Sequence, residues 1–355
     1  MAYTTIDNPE LYFQNKLYTG TGSTLSVTLD GDTDMQPDLI WIEVRNQSSS
    51  AMIQDAVRGT DGTSYRASKP SADSAETTNA GFLTTIGSDG FTVGTNGKFN
   101  ASSDTYVASC WKAGGGAGAS NEAGSINTTS TSVNTTSKFS ISTYTGNDTA
   151  GATIGHGIGS APHFVIVKSR SHAQHWAVYH HKNTSAPETD VLILSNDGAT
   201  SDSVNRWNDT APSSTLITFG QENQINGPSY TYVAYAWSEV QGFSKFGSYT
   251  GNGNADGTFI YTGFRPAWVM TKRTDSTSSW HIYDNKRDTY NLVQSKAVAD
   301  DAVTYASGTE VDFVSNGVKI RGTGSDLNAS GGSFIFMAFA HSPFVNSEGI
   351  PCNAR

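Results

Sequence analysis

Tyr18-Thr19-Gly20, Tyr144-Thr145-Gly146 and Tyr249-Thr250-Gly251 are one tripeptide written three times, each followed some way downstream by a proline that opens an apolar run. The runs are Pro37-Asp-Leu-Ile-Trp-Ile-Glu-Val-Arg45, Pro162-His-Phe-Val-Ile-Val-Lys-Ser-Arg170 and Pro266-Ala-Trp-Val-Met-Thr-Lys-Arg273. Each stretch closes on a similar segment, namely Tyr106-Val-Ala-Ser-Cys-Trp111, Tyr232-Val-Ala-Tyr-Ala-Trp237 and Phe336-Met-Ala-Phe-Ala-His341. An asparagine (Asn100, Asn226, Asn328) marks the turn before each. Self-similarity at matched spacing is the signature of a repeated structural unit. Short β-branched and aromatic runs alternate with turn pairs such as Asp89-Gly90, Asn226-Gly227 and Asn316-Gly317, and no 3.6-residue apolar period appears. The expectation is an all-β protein of three tandem antiparallel β-sandwich, jelly-roll-like repeat domains.

The spacing divides the chain into an N-terminal arm (1–17), a first domain (18–111), a linker rich in Gly, Ser, Thr and Asn (112–143) and a second domain (144–237). A short joint (238–248), a third domain (249–345) and a C-terminal tail (346–355) follow. The long linker predicts a loosely placed first domain, and the short joint predicts that the second and third pack as a pair.

The 355 residues carry 22 basic and 32 acidic side chains, a net charge of −10, which argues against a nucleic-acid partner. Charged residues make up only 15% of the chain, so its polarity rests on Ser, Thr, Asn and Gly. Cys110 lies in an apolar run and Cys352 near the C-terminus, which predicts no disulfide framework. The N-terminal stretch has neither the basic nor the apolar region of an export signal, and the longest apolar run, Phe334 to Ala340, is too short to cross a membrane. No membrane insertion is expected.

Residue types shared by all three units are most simply scaffold, so the closing aromatics and the basic residue ending each apolar run (Arg45, Arg170, Arg273) read as structural. Asp55 with Arg58, and Asp284 with Arg287, read as turn-stabilising salt bridges, with His180 standing where the second unit should carry its Asp. His172, His175, His180 and His181 are close enough in sequence to be weak candidates for a divalent-metal site. No acidic or Cys ligand lies among them, and adjacent strand residues face opposite ways, so the reading is no metal. Asp30-Gly-Asp32-Thr-Asp34 begins like a calcium loop, but Met35 and Trp41 occupy the positions that need Gly and Glu, which leaves a turn. Asp300, Asp301, Glu310 and Asp312 read as a solvated strand edge. Hydrolase, nucleotide and metalloprotease motifs are missing, so no enzyme and no cofactor are expected.

Binding candidates are aromatic. Trp176 with Tyr179 and Trp280 with Tyr283 recur at one spacing among short polar residues, a pattern that suits sugar or protein surfaces and equally suits core packing. Trp207 has no counterpart in the other units and reads as an exposed, unit-specific contact.

Stretches along nearly the whole chain resemble a family of repeat-containing virion structural, tail-fibre-like proteins of marine tailed bacteriophages. They include Tyr3-Thr-Thr-Ile-Asp-Asn-Pro9, Tyr106-Val-Ala-Ser-Cys-Trp-Lys-Ala-Gly-Gly115, Phe246-Gly-Ser-Tyr-Thr-Gly-Asn-Gly253 and Ala338-Phe-Ala-His-Ser-Pro-Phe344. The resemblance implies a virion location, after assembly in the host cytoplasm, with other virion proteins as partners. It also implies a host-surface glycan or protein receptor and, by analogy with tail fibres, a homo-oligomer, specifically a trimer. Host attachment is the leading expectation. The alternatives are a capsid-decorating or tail-sheathing protein and, third, an enzyme that degrades surface polysaccharide.

Overall fold

A computed structural model describes residues 3–302 and 306–352. The first segment holds β1 (Phe13–Thr19), β2 (Leu25–Thr28), β3 (Leu39–Val44), β4 (Met52–Asp55), β5 (Ala67–Ser68), β6 (Leu83–Gly87), β7 (Gly90–Val93), the single turn α1 (Gly97–Asn100) and β8 (Thr105–Trp111). The second holds β9 (Ser130–Asn134), β10 (Phe139–Thr145), β11 (Ala152–Gly155), β12 (Phe164–Ser169), β13 (Ala177–His180), β14 (Asp190–Ile193), β15 (Ser201–Asp202), α2 (Val204–Trp207), β16 (Leu216–Phe219), α3 (Asn223–Asn226) and β17 (Thr231–Trp237). The third holds β18 (Ser244–Thr250), β19 (Phe259–Tyr261), β20 (Phe264–Arg273), β21 (His281–Asp284), β22 (Val293–Val298), β23 (Ala306–Val314), β24 (Gly317–Ile320), α4 (Ser325–Asn328) and β25 (Ser333–Pro343).

All pairings between these strands are antiparallel, and one strand order recurs: β1-β8-β3-β4, β10-β17-β12-β13 and β18-β25-β20-β21. In the third segment the sheet continues through β22, β23 and β24 to β19, where the Thr258 hydroxyl donates to Thr250 O at 2.7 Å and nearly closes a barrel.

The repeated tripeptide and asparagine form a clamp. Each opening tyrosine donates its hydroxyl to the carbonyl just before the asparagine: Tyr18 to Phe99 O at 2.8 Å, Tyr144 to Ile225 O at 2.6 Å and Tyr249 to Leu327 O at 2.8 Å. The glycine two residues on lies so close to the backbone that a Cβ would fall 2.1, 2.4 or 2.3 Å from Ala101 O, Gly227 O or Ala329 O. The asparagines are fully buried and saturated. Asn226 Oδ1 accepts from Asn147 N–H at 3.0 Å while its amide donates to Gly220 O at 2.9 Å and Thr149 O at 3.0 Å. Asn100 bonds Thr21, Gly94 and Ser23 in the same way, and Asn328 bonds Asn252, Gly322 and Asn254. A buried amide is tolerated only when its donors and acceptor are matched, and these are.

Register corrects two of the sequence correspondences. Tyr18 faces Tyr106 and Tyr144 faces Tyr232, whereas Tyr249 faces Phe334, so the third closing strand aligns two residues earlier than Phe336. The three pairs stack with ring centroids 4.9, 5.1 and 4.8 Å apart. Likewise the amides of Arg45, Arg170 and Thr274 bond Thr105 O, Thr231 O and Ser333 O, so Thr274, not Arg273, is the counterpart of Arg170.

The apolar runs are buried on both faces, and alternate residues go to different cores, as strand geometry requires. Ile40 and Ile42, Val165 and Val167, and Val269 each enter their own segment's core. Leu39 and Trp41, Phe164 and Ile166, and Trp268 and Met270 all enter one central core, joined by Trp111, Trp237 and Phe339 from the closing strands. Trp111 meets Trp268 edge-on at 5.5 Å and Trp237 at 6.5 Å, and Phe13 stacks on Phe339 at 5.1 Å. The first segment is therefore not loosely placed: it shares this core with both others.

The 112–143 stretch is likewise tied down. Its strand β9 pairs with β10, and its glycines wrap the buried Asp38 carboxylate. Asp38 Oδ2 accepts from Ala113 N–H at 2.7 Å and Gly115 N–H at 2.9 Å, and Oδ1 from Gly116 N–H at 2.8 Å. At the other end Cys352 is a free thiol whose Sγ lies 3.2 Å from Ser315 O, and Cys110 is free and buried.

The clamp yields a direct test. Asn226→Ala removes the partners of the Asn147 N–H, the Thr149 carbonyl and the buried Gly220 carbonyl, so urea denaturation should show a loss of about 1–3 kcal/mol. A loss below about 0.5 kcal/mol would show that the clamp carries no weight.

Candidate functional site: the seams and a cleft between the first and third segments

The segments meet in seams built from corresponding atoms. Where the first meets the second, Lys168 Nζ is fully buried, donates to Asp73 O at 3.1 Å and lies 6.0 Å from the Trp176 ring, whose indole N–H donates to Lys69 O at 2.8 Å. Where the second meets the third, Lys272 Nζ donates to Asp197 O at 3.0 Å, lies 6.0 Å from the Trp280 ring, and the Trp280 indole donates to Ile193 O at 2.9 Å. Arg170 adds a two-pronged pair with Glu76 at 3.0 and 3.1 Å, a fork geometry that favours carboxylates. Burial pulls both lysines down to about 8, and nearby carboxylates oppose the fall, Asp73 and Glu76 at Lys168 and Asp300 and Asp197 at Lys272.

These contacts relocate the aromatic candidates. Trp176 and Trp280 are buried in the central core and recognise the neighbouring segment's loop rather than an outside ligand. Tyr179 and Tyr283, three residues on, face their own segments' cores, as alternation demands. Trp207 is a correction: it is 1% exposed, packs edge-on against Tyr179 at 5.9 Å and donates its indole N–H to Asp190 O at 3.1 Å. Its large apolar ring fills the second segment's core from the helical turn α2.

The histidines also belong to a seam. Asp55 Oδ1 accepts the N–H groups of Val57 and Arg58 while Oδ2 takes the Arg58 side chain and the Tyr235 hydroxyl, the latter at 2.6 Å. Asp284 holds Lys286, Arg287 and the Arg287 guanidinium in the same manner. In the second segment His180 substitutes: Nδ1 accepts from Lys182 N–H at 3.0 Å, which puts the proton on Nε2, 3.1 Å from Phe336 O across the seam. His181 Nε2 lies 2.8 Å from Phe246 O, and its ring meets His163 edge-on at 4.3 Å. His163 Nδ1 in turn accepts from Glu239 N–H at 3.0 Å. His172 instead stacks on Tyr230 at 3.5 Å, and His175 bonds Ser195 at 2.9 Å, so the four do not converge. Among the described residues no group of three or more His, Cys, Asp or Glu is placed to hold a metal ion.

The acidic set is a solvated edge only in part: Asp301 is exposed and Asp312 half-buried, whereas the other two are tied down. Asp300 accepts from Trp280 N–H at 2.8 Å, with burial raising its carboxyl, and Glu310 lies 3.4 Å from Lys296. Asp30-Gly-Asp32-Thr-Asp34 is a turn, as expected, held by Gln14 and Glu10.

The third seam, where the third segment meets the first, is the one that opens. Pro266 has no N–H to give the ladder, and the β20–β25 register slips on both sides of it. Arg265 pairs with Ser342 and Pro266 with Ala340, so His341 is the residue the bulge leaves between them. The Asp284 turn presents Asn285 and Lys286 opposite. From the first segment Asn15 donates to Ala267 O at 3.2 Å, and Asp30 pairs with Lys286 at 3.1 Å and Lys16 at 3.4 Å. Outside these contacts lies a cavity of about 280 Å³ lined by Arg265, Pro266, Asn285, Lys286, Thr289 and His341. Tyr290, next to Thr289, is 78% exposed. Pro266 is the proline that opens each apolar run and Lys286 corresponds to Lys182 of the His180 turn, whereas Arg265 has no basic counterpart before Pro37 or Pro162. Lys286 within the Asp284-Asn-Lys-Arg287 stretch was the visible trace.

The histidine seam predicts acid lability. Burial pulls His180 to about 3 and His181 to about 4 and also lowers His163, with Lys182 and Lys245 adding to the effect and Glu239 opposing it. The unfolded chain then binds more protons between the ordinary histidine value of 6.5 and these folded values. Stability should be intact above pH 6.5 and fall on the order of a few kcal/mol by pH 4. Urea melts from pH 7.5 to 4 would show this decline, shallower in His181→Gln; equal slopes in the two proteins would count against the seam.

Among the described residues no helix is long and apolar enough to cross a membrane. No curated protein and no solved structure matches the chain. A family model does match, over residues 8–343, which takes in every sheet, seam and clamp described above. The chain belongs to the family described as Domain of unknown function (DUF7483).

Proposed function

We propose that the protein is a bacteriophage virion structural protein, a tail-fibre or receptor-binding component that attaches the particle to its host. In this reading the chain is three tandem antiparallel β-sandwich, jelly-roll-like repeat domains, and the identical clamp geometry in the three segments supports that division. The observation that carries the functional reading is the open seam. A body of net charge −10 with tightly docked seams elsewhere presents a cleft lined by Arg265 and Lys286, and Tyr290, next in sequence to the lining residue Thr289, faces solvent. Exposed amphipathic aromatics beside polar side chains are the means by which rigid β scaffolds hold outside ligands. A trimeric fibre gathers three chains around an axis; here three segments of one chain are gathered around one core, and further oligomerisation would build on that body.

Attachment is tested by competition. Purified protein added to host cells before the particles should reduce adsorption in a dose-dependent way, and Tyr290→Ala should weaken the block while leaving the melting temperature unchanged. Protein that is present in purified particles yet neither binds cells at micromolar concentration nor blocks adsorption would favour a decorating or sheathing role.

A further inference from the structure

We infer that the third segment's cleft, beside its seam with the first, binds an acidic saccharide, a sugar ring carrying an anionic group. The inference deepens the attachment reading and rests on it for its biological sense. Three features of the cleft point to this class of ligand.

First, the charge is local and positive. The cavity lining includes Arg265 and Lys286 and no carboxylate. The adjoining hollow toward the first segment holds two acids: Asp30 is shared between two ammonium groups, Lys16 and Lys286, and Glu10 accepts from the Asp32 N–H. Asp284 is buried in its pair with Arg287, and Asp288 is turned to the N–H groups of Gln294 and Ser295. Second, the remaining lining is neutral and hydrogen-bonding, with Asn285, Thr289 and His341 spaced around the opening. Such groups suit ring hydroxyls, which an inorganic anion lacks. Third, Tyr290 projects into solvent beside Thr289 and offers an apolar ring face against which a sugar can stack. Cations, neutral polar groups and an exposed aromatic face together match a charged sugar better than a protein surface or a bare ion.

The site is also built on supported elements. Arg265 sits on β20, where its guanidinium donates to Ser342 Oγ at 3.2 Å, and Lys286 sits on the turn that Asp284 fixes through two backbone N–H groups. A ligand here meets side chains whose backbone is already positioned, which lowers the ordering cost of binding.

Isothermal titration of the full chain with a trimer of galacturonic acid, against the neutral galactose trimer, tests the inference. The acidic trimer should bind about tenfold tighter or better, and Arg265→Gln or Lys286→Gln should each remove about tenfold of that preference. Lys286→Arg should retain it. Tyr290→Ala, at an exposed tip where folding is not at stake, should weaken both sugars alike. Equal affinity for the two trimers, no binding of the acidic one at millimolar concentration, or affinity unmoved by all four variants would overturn the inference. Should the protein block adsorption yet fail to bind the acidic trimer, the ligand class is wrong and attachment stands; should it bind the trimer yet fail to block adsorption, the site stands and attachment fails.

Discussion

Three sheets with apolar outer faces can leave water only by turning those faces toward one another. That constraint organises the molecule. Each apolar run is buried on both sides, and its odd and even residues serve different masters: one set fills the segment's own core, the other the shared centre. Each large side chain buried there contributes about 1.5–3 kcal/mol of transfer free energy, and the centre gathers Trp41, Trp111, Trp176, Trp237, Trp268 and Trp280. Polar seams then fix how the segments are oriented. Buried lysines over indole rings, and Asp or His side chains reaching the neighbour's atoms, are satisfied only when adjacent segments dock in one register.

The low charge of the chain follows from the same arrangement. Few side chains can stay charged where both faces of a strand are covered, and the exceptions are paired, as Asp55 with Arg58, Asp284 with Arg287 and Glu76 with Arg170, or held by backbone groups, as Lys168, Lys272 and Asp38. The third seam departs from the others because Pro266 interrupts the ladder, and there the molecule exposes cations instead of burying them.

Much of the scaffold was legible because its determinants recur at matched spacing, although the clamp joins residues about 80 positions apart. Tyr144, Gly146 and Asn226 act through neighbouring backbone, so their recurrence in sequence is recurrence in structure. The all-β character and the Asp-Arg turns were legible for the same reason. The two-residue error at Phe334 arose because Phe336-Met-Ala-Phe-Ala matches the other closing strands by type, whereas register is set by pairing with β18. The placement of the first segment was misread because linker composition says nothing of what its glycines wrap, here the Asp38 carboxylate. Trp207 was misread because a residue without a counterpart looks functional, although a unique cavity in one segment's core needs a unique filler. The cleft was illegible because its lining is gathered by a bulge and a turn of the third segment, and pairing of that kind is not written in the sequence.

The central claim is that one shared core makes the three segments a single cooperative body. Native-state hydrogen exchange in increasing urea measures this directly on peptides covering β3, β12 and β20. The account predicts that all three lose protection at one common denaturant concentration and that Trp111→Ala lowers that concentration for all three together. Loss of protection in β3 at clearly lower urea, with β12 and β20 still closed, would contradict it.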